Sequence, residues 1–159
     1  VVAWFYDNLL CVAHIGDSRL YRLRGNIFDR LTRDHSLLQE QLDNGIISAE
    51  DARFSRSKYL VTRALGVDLT VDPEIREFPV EPGDVYLLCS DGLNDMVDDR
   101  EIGLTLRELQ ENPAAAADEL VRMANDGGGR DNVSVVVVKV RGEFPARAGW
   151  WKKIVAHLG

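Results

Sequence analysis

A chain of 159 residues, 45% apolar and 28% charged, has the balance of one ordinary domain that buries a core, which excludes a disordered chain. Its 19 basic and 26 acidic side chains leave a formal charge of −7, so no basic surface for a nucleic-acid backbone is implied and nucleic acid is excluded as the main partner. No apolar run approaches the roughly 20 residues that a membrane-spanning helix requires, and the N-terminus lacks the order of a secretory signal, so the chain reads as cytoplasmic and without a membrane partner.

Val1-Val2-Ala3-Trp4-Phe5-Tyr6 begins without Met and runs through Asp7-Asn8 into a second apolar stretch. That is how a hairpin looks when its first strand is cut at the end, and the chain is expected to be truncated. Leu9 to Ile15, Arg19 to Arg24 and Ile27 to Leu31 read as three strands separated by Gly16-Asp17-Ser18 and Gly25-Asn26, together an antiparallel meander. Ser36 can cap a short helix ending at Gly45, and Ser48-Ala49-Glu50-Asp51 repeats the pattern for a second one, giving a polar insert with little core of its own.

Glu74 to Phe78 returns to strand character, and the turn Glu81-Pro82-Gly83-Asp84 delivers the chain into Val85-Tyr86-Leu87-Leu88-Cys89, apolar on both faces and hence central. Helices are predicted from Asp98-Asp99 and from Pro113 to Asn125, the second stopped by Gly127-Gly128-Gly129. Val133 to Val140 is the stretch richest in β-formers, and valines at both parities predict cover on both faces. Strands first, helices next and one strand last do not make the alternation of a doubly wound sheet; an α+β sandwich of antiparallel sheets fits better. The tail from Gly142, with Trp150-Trp151 and Lys152-Lys153, reads as a linker or a short packed helix.

Three aspartates abut apolar strands: Asp17, Asp91 in Ser90-Asp91-Gly92, and Asp131 in Asp131-Asn132. If the central and last strands are antiparallel neighbours, Asp91 and Asp131 converge at one sheet edge, and Asp95 can turn back toward them. Taken singly, each is a good turn residue. Together they form a carboxylate cluster that repels itself unless protons or cations intervene, and oxygen-only donors select a hard ion, Mg²⁺ or Mn²⁺, over zinc. His14 and His35 have no second His or Cys at ligand spacing and read as satisfied structural histidines. Cys11 and Cys89 lie in apolar runs as a reduced core pair, and neither heads a Cys-x5-Arg phosphate loop.

Six motifs stand in order: Gly16-Asp17-Ser18-Arg19, Leu31-Thr32-Arg33-Asp34-His35-Ser36, Leu60-Val61-Thr62-Arg63-Ala64-Leu65-Gly66, Glu81-Pro82-Gly83-Asp84, Leu88-Cys89-Ser90-Asp91-Gly92-Leu93 and Arg130-Asp131-Asn132-Val133-Ser134. The set resembles the bacterial PP2C-type (PPM) metal-dependent serine/threonine protein phosphatases. The resemblance implies a sandwich of two antiparallel β-sheets flanked by helices, here the C-terminal portion of the domain over residues 1–141, with 142–159 as tail or linker. It also implies two catalytic Mn²⁺ or Mg²⁺ ions held in part by Asp91 and Asp131, and a third, weaker site shared by Asp17, Asp91 and Asp95. Residues 37–58 would be the flap beside the active site, with Arg53, Arg56 and Lys58 as cations that steer a phosphopeptide.

The implied reaction is hydrolysis of phosphoserine and phosphothreonine on proteins by a metal-activated water, opposing a serine/threonine kinase. The family's N-terminal phosphate-binding arginine, Glu-Asp pair and Asp-Gly-x-Gly-Gly segment are absent from these residues, so the 159 residues alone are expected to be inactive. Two alternatives stay open: a catalytically silent relative kept as a binding or regulatory module, and a phosphatase dedicated to one regulator protein.

Overall fold

The computed structural model describes residues 1–52, 60–66 and 70–145. The elements run β1 (Val2–Tyr6), β2 (Leu9–His14), β3 (Arg19–Arg24), β4 (Ile27–Arg30), α1 (Leu37–Asp43), α2 (Ala49–Ala52), β5 (Glu74–Pro79), β6 (Val85–Cys89), α3 (Asp91–Asn94), α4 (Asp99–Glu108), α5 (Pro113–Asp126) and β7 (Val135–Lys139). They form two antiparallel sheets, β1-β2-β5 and β4-β3-β6-β7. The α+β sandwich is therefore present.

The turn Asp7-Asn8 holds both residues at positive φ, +44° and +57°, the backbone that lets a two-residue loop follow the twist of a hairpin. The single meander is corrected. β2 and β3 do not pair; at Gly16, φ +94°, the chain leaves the three-stranded sheet and enters the other. A strand ending that must cross between layers needs a backbone that residues with a Cβ rarely adopt.

Leu10, Val12, Leu20, Leu31, Val80, Tyr86 and Val140 pack between the sheets, joined by Phe5, Phe78 and Phe144. The Phe144 N–H also donates to Asn8 Oδ1 at 2.7 Å, so packing between the sheets reaches past Gly142. The opposite face of the four-stranded sheet buries Tyr21, Leu23, Val85, Leu87 and Cys89 against Leu93, Ile102, Leu106, Leu120 and Ala124 of the helices. Strands β3 and β6 each have core on both faces and a partner on both sides, β6 as its unbroken apolar run predicts. Strand β7 is shorter than 133–140 but has core on both faces as expected, Val135 and Val137 toward the helices and Val138 toward the other sheet; among the described residues it is an edge, with Val136 56% exposed.

Local signals place the helices. The Ser36 side chain accepts from Gln39 N–H, Asp98 from Glu101 N–H and Asn112 from Ala115 N–H, each capping a first turn, with Pro113 at the start of α5. The insert opening at α1 is closed at its base, where Leu37 N–H donates to the Leu60 carbonyl at 2.9 Å and Thr62 N–H to the His35 carbonyl at 2.8 Å. α1 buries no residue, in keeping with a polar insert.

Candidate metal centre

Strand β3 pairs with β6 so that Arg19 lies opposite Cys89, and β6 pairs with β7 so that Cys89 lies opposite Val135. The segments just beyond these three strand ends, with Asp17, Asp91 and Asp131, therefore meet at one edge of the four-stranded sheet. Asp17, Asp91, Asp95 and Asp131 all line one open cleft of about 940 Å³. Among the described residues no His or Cys lines it and carboxylates predominate among its oxygen donors, the set that suits a hard divalent ion.

Asp91, like Asp17 and Asp95, is partly buried, whereas Asp131 is exposed. Burial and then the Asp17 carboxylate push the Asp91 carboxyl above the usual range, against the Gly92 N–H donated to Oδ1 at 2.9 Å; Asp131 and Asp95 push the same way. A cation in the cleft relieves what the neighbouring carboxylates impose. The donor set and its crowding thus fit the ions that the resemblance implies.

Two residues that the motifs contain, but that residue-by-residue reasoning left without a role, hold this edge together. Ser90 O–H donates to the Asn132 carbonyl at 3.0 Å and accepts from Ser134 N–H at 3.0 Å, tying the Asp91 segment to the Asp131 segment. Gly92 has no room for a side chain: a Cβ there would stand 2.4 Å from the Asn132 carbonyl oxygen. Arg19 braces the other side. Its guanidinium forks onto Asp34, Nε to Oδ1 at 3.0 Å and Nη2 to Oδ2 at 2.6 Å, and reaches Asp99 at 3.3 Å beside the Tyr21 hydroxyl. It joins the loop before α1 to the first turn of α4, both of which border the cleft.

The other expectations divide. Arg53, Arg56 and Lys58 lie outside the described residues. Burial pushes the Cys89 thiol up to about 12, which suits a core thiol and not a nucleophile. The reading of both histidines as satisfied is corrected for His14. Neither ring nitrogen of buried His14 has a hydrogen-bond partner, and the ring lies 4.8 Å from that of His35. Their separation of 21 positions hid a contact that the crossing at Gly16 creates.

The family model described as Stage II sporulation protein E (SpoIIE) matches residues 46–141. The chain belongs to the SpoIIE/PP2C family. Among curated members, it is 38% identical over 139 residues to the serine/threonine phosphatase stp of Listeria monocytogenes, a match covering 87% of this chain and 55% of that protein. The solved serine/threonine phosphatase PstP/Ppp of Mycobacterium tuberculosis superposes with a TM-score of 0.81 at 39% identity, over 87% of this chain and 58% of that one. A PstP catalytic domain in complex with two manganese ions superposes at 0.76 with 40% identity, over 87% and 56% of the two chains. The chain thus spans little more than half the length of these SpoIIE/PP2C relatives.

Proposed function

We propose that the protein hydrolyses phosphoserine and phosphothreonine on other proteins, with Asp91 and Asp131 holding catalytic divalent ions at the shared ends of β6 and β7. The single observation that supports this most is the gathering of Asp17, Asp91, Asp95 and Asp131 in one cleft of a SpoIIE/PP2C chain. Mn²⁺ or Mg²⁺, two ions and a third at Asp17, Asp91 and Asp95, would when bound supply an activated water and offset charge on the phosphoryl group.

The chain's own residues prepare that place. Ser90 fixes the spacing of the two aspartate-bearing segments, Gly92 admits the Asn132 backbone, and Arg19 keeps the acidic rim in register. The insert over residues 37–58 is assigned the role of substrate flap, with Arg53, Arg56 and Lys58 attracting the phosphopeptide. A domain over 1–141, a cytoplasmic setting and an opposing serine/threonine kinase complete the reading. Because the chain spans about half of its relatives, the activity is assigned to the protein as a whole and not to these residues alone.

The test is hydrolysis of phosphoserine and phosphothreonine peptides by the complete protein with Mn²⁺, with Mg²⁺ and with EDTA. Turnover that requires the ion and stops in chelator supports the reading; full turnover in EDTA overturns it. Arg56→Glu with Lys58→Glu should slow phosphopeptides while sparing a small aryl phosphate, and equal losses on both would remove the flap's assigned role.

A further inference from the structure

A second group of donors stands outside the carboxylate cleft, at the end of the three-stranded sheet. His14 closes β2, and Glu74 opens β5 directly opposite it in the antiparallel register. His35 arrives from the loop after β4. Among the described residues, this is the one group of three or more His, Cys, Asp or Glu side chains whose ligand atoms all lie within 4.8 Å of one another. We propose that His14, His35 and Glu74 form a transition-metal site, of the Zn²⁺ class, separate from the carboxylate cleft.

His14 is buried at this end of the sheet. It is 3% exposed, and both ring nitrogens are buried without a hydrogen-bond partner. A buried polar group left unpaired costs about 1–3 kcal/mol, and a metal ion is one partner that satisfies an imidazole lone pair.

His35 Nε2 and Glu74 Oε2 stand 3.6 Å apart, close to the roughly 3.3 Å between ligands of a tetrahedral zinc ion with 2.0–2.1 Å bonds. Two imidazoles with one carboxylate are a zinc donor set and a poor one for Mg²⁺, so chemistry separates this site from the aspartates. The backbone is fixed on each side, by the β2–β5 ladder and by His35 N–H to the Gly16 carbonyl at 2.8 Å. A hollow of about 210 Å³ bordered by His35, Glu74 and Arg63 gives entry from solvent, and water can fill the fourth position.

Binding has a definite proton consequence. Gly16 N–H donates to Nδ1 of His35 at 3.2 Å, which leaves the ring proton of neutral His35 on Nε2. For Nε2 to ligate, that proton moves to Nδ1 and the Gly16 bond is given up; the ring stays neutral, and the metal–nitrogen bond replaces the N–H bond. The ion therefore competes with one of the two bonds by which His35 holds Gly16, next to Asp17. Arg76, paired with Glu74, must also share that carboxylate with the ion.

The test is Co²⁺ titration of the full-length protein in excess Mg²⁺, read by visible absorption, which is intense for tetrahedral cobalt and silent for magnesium. The expected result is a tetrahedral band displaced by Zn²⁺, abolished in both His14→Phe and Glu74→Gln, and retained in Asp91→Asn. If His14→Phe fails to fold by circular dichroism, the near-isosteric Glu74→Gln alone decides. No tetrahedral band, or a band that survives Glu74→Gln or disappears with Asp91→Asn, overturns the proposal. The result is independent of whether the protein hydrolyses phosphoproteins.

Discussion

Ser90 and Ser134 are joined twice: Ser90 N–H donates to the Ser134 carbonyl at 3.0 Å, and Ser134 N–H donates to Ser90 Oγ at 3.0 Å. This pair extends the β6–β7 ladder by one step past Cys89 and Val135, into the segments that bear Asp91 and Asp131. The hydroxyl spends its own proton on the Asn132 carbonyl, so a small side chain fixes two backbones at once.

Ser90→Ala removes both side-chain bonds and leaves the strand intact. Stability should fall by about 1–2 kcal/mol, while metal-dependent turnover falls about 10–100-fold, as for other residues that position ligands without touching the ion. Urea unfolding together with phosphopeptide kinetics on the complete protein checks this; unchanged turnover would show that the spacing of the two segments is set elsewhere.

Gly92→Ala places a Cβ 2.4 Å from the Asn132 carbonyl oxygen and 3.0 Å from its carbon, both backbone atoms. The loop before β7 must shift to make room. A loss of roughly 1–3 kcal/mol is expected, with Mn²⁺ affinity falling as well, since the shift moves Asp131. Wild-type stability in a urea melt would contradict the close approach.

The Asp91 carboxyl is raised by burial and by Asp17, Asp131 and Asp95. A raised carboxyl favours the fold while protonated and loses that advantage as pH rises through its folded value. In EDTA near pH 7, Asp91→Asn should therefore melt at a higher temperature than the wild type, and the gap should close on acidification through the carboxylate range. A lower melting temperature for the variant at pH 7 would contradict the repulsion.

Asp84 behaves oppositely. Its buried carboxylate is held below the usual range, against the cost of burial, by the fork from Arg24 at 2.8 and 2.7 Å, by Glu81 N–H and by the Tyr86 hydroxyl. The stability this adds is present above the unfolded carboxyl value and is lost as pH falls through the lower folded one. Asp84→Asn should cost about 1–3 kcal/mol at pH 7, because Arg24 keeps its pair with Glu81 but loses the fork onto a buried charge. The difference from wild type should shrink toward acid pH; a constant difference in denaturant melts across that range would show that charge is not the cause.

Much of the architecture was legible because punctuation in the sequence is local. Strands β3 and β6 match their predicted limits, bracketed as they are by Gly16, Gly25, Pro82-Gly83 and Ser90, and the caps at Ser36 and Asp98 and the proline at 113 mark helix starts where they occur. What local signals do not encode is which sheet a strand joins. The crossing at Gly16 and the edge position of β7 depend on partners far away in the chain, and the four-residue α3 is too short for an apolar period. Asp91 and Asp131 could be paired from sequence because they flank two apolar strands that need only be antiparallel neighbours to bring them to one end of the sheet. His14 and His35 could not, since a loop and a layer crossing bring them together. The two hydrogen bonds between Ser90 and Ser134 were hidden because a serine before Asp-Gly looks like any turn residue.

The most direct measurement of the central claim is isothermal titration of the complete protein with Mn²⁺, comparing wild type with Asp91→Asn, Asp131→Asn and Asp17→Asn, each checked for fold by circular dichroism. The account predicts that Asp91→Asn and Asp131→Asn lose tight Mn²⁺ binding together with at least about 100-fold of phosphopeptide turnover, while Asp17→Asn loses distinctly less of both. Folded Asp91→Asn and Asp131→Asn variants that still bind Mn²⁺ as the wild type does would contradict it.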